Sequence, residues 1–164
     1  RRGMRGDKPR GSPVLLAAVK AKRPGWLEGN IVITPEGKPV NILRVNDDRG
    51  DRAAIVRISD DGHKISFDPE RDFIDLPGGR TKFTIRFDPQ TKRYWSLVNK
   101  QRDPPAERNV LALVSSADLR RWRVERIVLK HPDRRHHAFQ YVDWLFEGYS
   151  GPKKLDHDIR SRSW

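Results

Sequence analysis

Ionisable and polar side chains stand at or near the beginnings of apolar, β-branched runs, where they could share a site. The carboxylates of Glu28 and Asp143 and the phenol of Tyr141 are groups that can serve as acid, base or nucleophile. We therefore take these three as candidate catalytic residues. A second set could bind a substrate through hydrogen bonds or charge, and it comprises Asn30, Lys82, Arg108, His137 and Gln140.

Each candidate also has an ordinary structural interpretation. Glu28 could pair with a surface lysine, and Lys82 could belong to a generally basic surface, since the chain has 34 Lys and Arg. Tyr141 could be a core residue with a satisfied hydroxyl. Side chains alternate along a strand, so Asp143 points away from the core if its neighbour Trp144 points into it.

No metal or cofactor is predicted. The histidines of "HPDRRHH" (131–137) are interleaved with proline and arginine, which favours an exposed connection over a zinc site with three or four ligands. His157, which lies between two aspartates, is an equally weak candidate for a metal ligand. "LPGGRTK" (76–82) lacks the spacing of a phosphate-binding loop, and no G-x-S-x-G elbow is present. The absence of cysteine excludes thiolate chemistry.

From Trp26 onward, the sequence reads as a series of short strands. Runs rich in β-branched and aromatic residues are separated by turn signals such as "PEGK", "DDGH" and "DPQTK". The only plausible helix covers 14–22. The sequence predicts strands at 30–34, 39–45, 53–59, 64–67, 82–87, 93–98, 109–115, 122–129 and 138–146.

The order of these strands repeats. Residues 28–67 and residues 81–129 share one pattern, in which four strands are separated by a tight turn, a loop and an S-x-D turn. Pro35 and Pro89 mark equivalent turns 54 residues apart. The run 138–146 then predicts the first strand of a third unit. Four antiparallel strands at a period of roughly 50 residues favour a β-propeller over a β-sandwich. Propeller sites lie near the first strands, where the candidate residues stand.

The turn "SSADLRRW" (115–122) has a looser counterpart in "SDDGHKISF" (59–67). Asp118 is predicted to accept backbone N–H bonds within its turn, and Trp122 is predicted to pack between sheets. Because the turn recurs at equivalent places, we assign Asp118 a structural rather than a catalytic role.

These motifs resemble a known family. Ser116-x-Asp118-Leu119-x-x-Trp122 and Ser59-x-Asp61-Gly62 resemble the Asp-box turns of sialidases and a turn of five-bladed furanosidase and xylosidase propellers. "GWLEGNIVITPEGK", "KFTIRFDPQTKRYWSLVNK", "RNVLALVSS" and "HHAFQYVDWLFEG" resemble bacterial sialidase-like propeller proteins. The resemblance spans roughly 25–148.

The resemblance implies an exo-alpha-sialidase-like glycoside hydrolase that cleaves a terminal glycosidic bond in the central channel of a propeller. Such a site pairs a tyrosine nucleophile with a glutamate, roles that Tyr141 and Glu28 could fill, and Arg108 could hold an anionic group. The complete propeller would have five or six blades. This chain would supply two to three, with the remaining blades as its partner, and would be inactive alone. The alternative is a non-catalytic propeller that binds carbohydrate or protein.

Charge and composition complete the expectations. The net charge is +12, but residues 1–25 hold eight Lys and Arg against one Asp, so the basicity lies mainly at the ends. We predict a disordered basic tail at 1–25, a partial propeller at 26–150 and an irregular end at 151–164. The nearly balanced body argues against a nucleic-acid partner. No apolar run is long enough for a membrane span. We expect a soluble protein, either cytoplasmic or secreted with a signal outside this chain.

Overall fold

The structure is a computed structural model that describes residues 25–46, 49–100 and 108–147. In these ranges the chain is all-β, as predicted, and no helix long and apolar enough to cross a membrane occurs in them. The predicted helix 14–22 and nearly all of both predicted end segments lie outside the described residues. The strands are β1 (Gly25–Ile33), β2 (Pro39–Asn46), β3 (Arg52–Ile58), β4 (Ile65–Ser66), β5 (Phe73–Asp75), β6 (Thr84–Asp88), β7 (Arg93–Asn99), β8 (Val110–Ser116) and β9 (Arg123–Lys130).

Strands β1 to β5 form an antiparallel sheet, called sheet A, in the order β1-β2-β3-β4. Val32 of β1 lies opposite Val40 of β2, and Ile42 of β2 lies opposite Ile55 of β3. The short strands β4 and β5 pair with opposite ends of β3. Together they supply a fourth strand that is interrupted between Ser66 and Phe73. The sequence did not predict β5.

Strands β6 to β9 form a second antiparallel sheet, called sheet B, in the order β6-β7-β8-β9. Consecutive strands pair with one another, as in sheet A. Eight of the nine predicted strands match observed strands, and their boundaries differ by up to five residues. The predicted repeat of four-stranded antiparallel units is therefore present in the described chain.

The predicted strand at 138–146 is wrong, because these residues form no strand. They run along sheet B and are attached to it by isolated bonds. The amide of Phe139 donates to the carbonyl of Arg108 at 2.8 Å, and Asn99 Nδ2 donates to the carbonyl of Phe139 at 2.6 Å. The composition suits a strand, but a regular ladder needs a second strand, and the described residues supply none for this segment.

The two sheets pack face to face on one apolar core. Sheet A contributes Val40, Ile42 and Ile55, and sheet B contributes Ile85, Tyr94 and Val114, all buried. Each fully buried aliphatic side chain of this kind contributes about 1.5–3 kcal/mol. A second core lies on the other face of sheet B. It consists of Leu97, Leu111 and Trp144, with Phe139 and Val142 packed against them.

The two S-x-D turns are built alike, at the third connection of each unit. Asp118 Oδ1 accepts the amides of Arg120 and Arg121 at 2.9 and 2.8 Å. Asp61 Oδ1 accepts the amide of His63 at 3.0 Å. Trp122 packs against the shared core. Partial burial acts to raise the pKa of Asp118, but the hydrogen bonds outweigh it and hold that pKa well below its usual value. The prediction that Asp118 accepts backbone N–H bonds within its turn is confirmed.

Candidate functional site

The first strands of the two sheets are neighbours, and Asn30 joins them. Its Nδ2 donates to the carbonyl of Phe83 at 3.0 Å, and its Oδ1 accepts the amide of Ile85 at 3.1 Å. Both functional atoms of the Asn30 side chain are therefore bonded to the main chain beside β6. This geometry gives Asn30 a joining role, while its predicted contact with substrate stays a prediction.

Thr84 holds the corresponding position in the second sheet, 54 residues after Asn30, the spacing that also separates Pro35 from Pro89. Its Oγ1 donates to the carbonyl of Val142 in a long bond of 3.5 Å, and its own carbonyl accepts Trp144 Nε1 at 3.1 Å. These two bonds attach residues 138–147 to β6, although the segment forms no strand.

Lys82 interacts with three of the other predicted site residues. It stands 54 residues after Glu28 in the sequence. The Lys82 ammonium lies 5.2 Å from the ring centroid of Tyr141. Its charge lowers the pKa of both Glu28 and Asp143. We call Glu28, Lys82, Tyr141 and Asp143 the Lys82 site.

Two residues of the site, Glu28 and Tyr141, lie where the backbone is irregular. Glu28 lies in a β-bulge of β1, where the register with β2 shifts between Trp26 and Gly29. Bulges commonly re-aim side chains next to functional sites. Tyr141 has a φ of +53°, an uncommon value for a residue with a side chain, and is 67% exposed. Holding such a conformation costs about 1–3 kcal/mol, and strain of this kind clusters at ligand-binding positions.

Both carboxylates of the site are ion-paired. Arg44 Nη1 contacts Glu28 Oε1 at 3.0 Å, and Arg86 Nη2 contacts Asp143 Oδ1 at 3.1 Å. Arg44 is fixed in turn by a 2.7 Å bond from its Nε to the carbonyl of Arg80. Lys82 has no ion pair within the described ranges of the chain. The site thus holds three cations and two anions, with the free cation placed between the pairs.

These surroundings keep both carboxyl groups ionised near neutral pH. Partial burial acts to raise the pKa of Glu28, but hydrogen bonds and the charges of Arg44 and Lys82 outweigh it and lower that pKa. The pKa of Asp143 is lowered chiefly by a hydrogen bond from the Trp144 amide; partial burial opposes this, and Arg86 and Lys82 lower the pKa further. Neither group is therefore poised as a proton donor in this arrangement.

The remaining predicted residues lie around the start of segment 138–147. Arg108 Nη1 donates to Gln140 Oε1 at 2.6 Å. The His137 ring stacks on His131, with centroids 3.6 Å apart. In the described part of the chain, no group of three or more His, Cys, Asp or Glu residues is arranged to hold a metal ion. Arg108 and Gln140 therefore bond each other and His137 stacks on His131, and none of these contacts involves the Lys82 site.

Sequence reasoning missed Arg44 and Arg86. Each is a charged residue flanked by apolar ones inside a strand, in "ILRVN" and "TIRFD". Such a charge usually requires a partner, since side chains in the middle of a strand are often half-buried. That signal could have marked both residues, but their carboxylate partners are set by the packing of neighbouring units.

Comparison with known proteins gives no further guide: no family model, curated protein or solved structure matches this chain. An exposed aromatic face lies beside an ammonium that has no ion pair among the described residues, and two carboxylates and two guanidinium groups offer acceptors and donors around it.

Proposed function

We propose that sheets A and B are consecutive blades of a β-propeller and that the Lys82 site binds carbohydrate at one end of it. The equivalent links made by Asn30 and Thr84 to the next unit support the blade arrangement. The remaining blades would pack against the outer face of sheet A and against segment 138–147. The blade number, five or six, is part of the proposal.

The position of the Lys82 ammonium carries the functional part of the proposal. It lies over Tyr141 and between two carboxylates that are already paired with arginines. Sugars present hydroxyl groups in addition to apolar ring faces, so an exposed aromatic face ringed by fixed donors and acceptors suits them. The Lys82 ammonium, which has no ion pair among the described residues, adds affinity for saccharides that carry an acidic group.

Hydrolysis of a terminal glycosidic bond, as in sialidases, is the second candidate function. The observation in its favour is that Glu28, Tyr141 and Asp143 each interact with Lys82. A tyrosine nucleophile must pass its proton to the glutamate. No hydrogen bond links Tyr141 to Glu28 in the described chain, and both carboxyl groups have lowered pKa values. Binding therefore fits the site better than catalysis.

The test combines binding and turnover on the same sample. The 164-residue chain is screened on an array of neutral and acidic saccharides and incubated with aryl glycosides, aryl sialosides among them. Saccharide binding without release of the aryl group supports the binding function. Release that is lost in Glu28→Gln, Tyr141→Phe and Asp143→Asn would move the assignment to a hydrolase. Failure of the chain to bind any saccharide would overturn the proposed binding function.

A further inference from the structure

Strand β9 is the last strand of sheet B, and its outer edge is open in the described chain. β9 pairs with β8 on one side, and no described strand pairs with it on the other. Seven of its eight residues are exposed. The open edge of a strand presents main-chain N–H and C=O groups with which a further extended segment can pair. β9 therefore offers a place at which sheet B can be extended by one strand.

The positive charge of the chain between its two ends is concentrated at this edge. Residues 118–137 hold seven Lys and Arg against three Asp and Glu, whereas the other residues of 26–150 hold 15 Lys and Arg against 16 Asp and Glu. All seven cationic residues of 118–137 are exposed. We call residues 118–137, which comprise β9 and the turns on either side of it, the basic edge.

The charged residues of β9 itself leave two cations available to a partner. Glu125 is the acidic residue of this strand, and its Oε1 already accepts Arg123 Nε and Ser115 Oγ. Arg126 and Lys130 have no ion pair among the described residues. Both are exposed, so an anionic group can reach either of them from solvent.

Charge selects the kind of strand that β9 can accept. Cationic side chains on an edge strand oppose pairing with a basic strand, and β9 of a second copy is such a strand. An acidic strand meets opposite charges there. Apolar side chains of the same strand can contact Val124, Ile127 and Leu129, which are 37%, 42% and 41% exposed.

A polyanion without main-chain amides would use the charge of this edge but not its hydrogen-bonding groups, so the open strand favours a peptide. Further blades of the proposed propeller would pack on the faces of the sheets and leave the edge of β9 open. We propose that the basic edge binds an acidic, extended peptide segment of a partner protein, which joins sheet B as an additional strand beside β9.

The test is the affinity of the full chain for a short, fluorescently labelled peptide that alternates glutamate with valine, measured by fluorescence anisotropy. Arg126→Glu and Lys130→Glu should each raise the dissociation constant by about tenfold. Added salt should weaken binding because it screens the opposite charges. The matched control is Lys64→Glu, which makes the same change of charge at an exposed residue beside β4 of sheet A and should bind as wild type does.

A second peptide distinguishes strand addition from attraction between charges alone. It has the same sequence, but alternate main-chain amides are N-methylated, so it keeps the charge and cannot form the ladder of hydrogen bonds. We expect it to bind about tenfold more weakly, and we expect only the unmodified peptide to slow hydrogen exchange of the β9 amides.

Because Arg126 and Lys130 are exposed, their replacement should leave the far-ultraviolet circular dichroism of the sheets intact. A wild type that does not bind the unmodified peptide would overturn the proposal, as would equal affinity for the N-methylated peptide. An equal loss of affinity in Lys64→Glu would also overturn it. Tighter binding of an oligonucleotide of equal charge at this edge would assign the basic edge to nucleic acid instead.

Discussion

Replacing Asn30 tests how the two sheets are joined at the site. The side chain bonds two main-chain groups, the carbonyl of Phe83 and the amide of Ile85, and both residues are buried. A buried polar group left without a partner costs about 1–3 kcal/mol. Asn30→Ala should therefore lower the free energy of unfolding by about 2–6 kcal/mol, with the lower end expected if water replaces the amide.

The isosteric substitution Asn30→Asp distinguishes the contributions of the two hydrogen bonds. A carboxylate can still accept the Ile85 amide, but it cannot donate to the Phe83 carbonyl, so the loss should be at least half that of Asn30→Ala. Urea unfolding followed by tryptophan fluorescence measures both. Gln90→Ala, on the exposed turn after β6, is the control and should stay within about 0.5 kcal/mol of wild type. The reasoning fails if Asn30→Ala is no more destabilising than this control, or if Asn30→Asp matches wild type at neutral pH.

Two further predictions concern stability. Gly37 and Gly78 both have positive φ, but a Cβ at Gly37 would meet nothing within 4 Å, whereas one at Gly78 would lie 2.6 Å from the Asn99 carbonyl oxygen. Measured by thermal unfolding, Gly37→Ala should lower the free energy of unfolding by about 1–2 kcal/mol, and Gly78→Ala should lower it by about 1–3 kcal/mol more. Equal losses in the two variants would contradict the close contact at Gly78. The lowered folded-state pKa of Asp118 means that its contribution to stability is present above its usual value of 3.8 and is lost as the pH falls toward the folded value. Asp118→Asn should therefore be less stable than wild type at neutral pH, with a smaller acid-induced loss, and parallel pH profiles would refute this.

The strands and their order could be predicted because local signals determine them. Runs rich in β-branched and aromatic residues mark β1, β2, β6 and β7, and Gly37 and Gly62 adopt the positive φ that their turns require. The same signals failed at 138–146. Its composition is that of a strand, yet strand formation depends on a neighbouring strand that the described chain does not supply.

The interruption of the fourth strand of sheet A also escaped prediction, for a tertiary reason. Asp72 is fully buried there, and its carboxylate accepts bonds from Arg57 of sheet A and Arg120 of the sheet B turn, at 3.0 and 3.3 Å. These partners are 15 and 48 residues away in sequence. A local reading of "FDPERDF" cannot show that the aspartate joins two sheets.

The residues of the candidate site could be predicted from the sequence, but their contacts could not. Position on a predicted first strand selected Glu28 and Lys82 together with Tyr141 and Asp143, and in the structure Lys82 interacts with each of the other three. The hydrogen bonds and ion pairs that each side chain makes depend on contacts between the two sheets, and the sequence alone does not show these contacts. Asn30 illustrates this, because its amide is bonded to the main chain of the next unit.

The most direct test of the proposed function is the affinity of the strongest-binding array saccharide for wild type, Lys82→Met and Lys130→Met, measured by calorimetry. Lys130 is an exposed lysine at the end of β9, so its replacement removes one positive charge away from the site. We predict that Lys82→Met weakens binding by about tenfold, equivalent to about 1.4 kcal/mol, and that Lys130→Met leaves it unchanged. Equal affinities for Lys82→Met and wild type would contradict the assignment of the Lys82 site as the carbohydrate-binding surface.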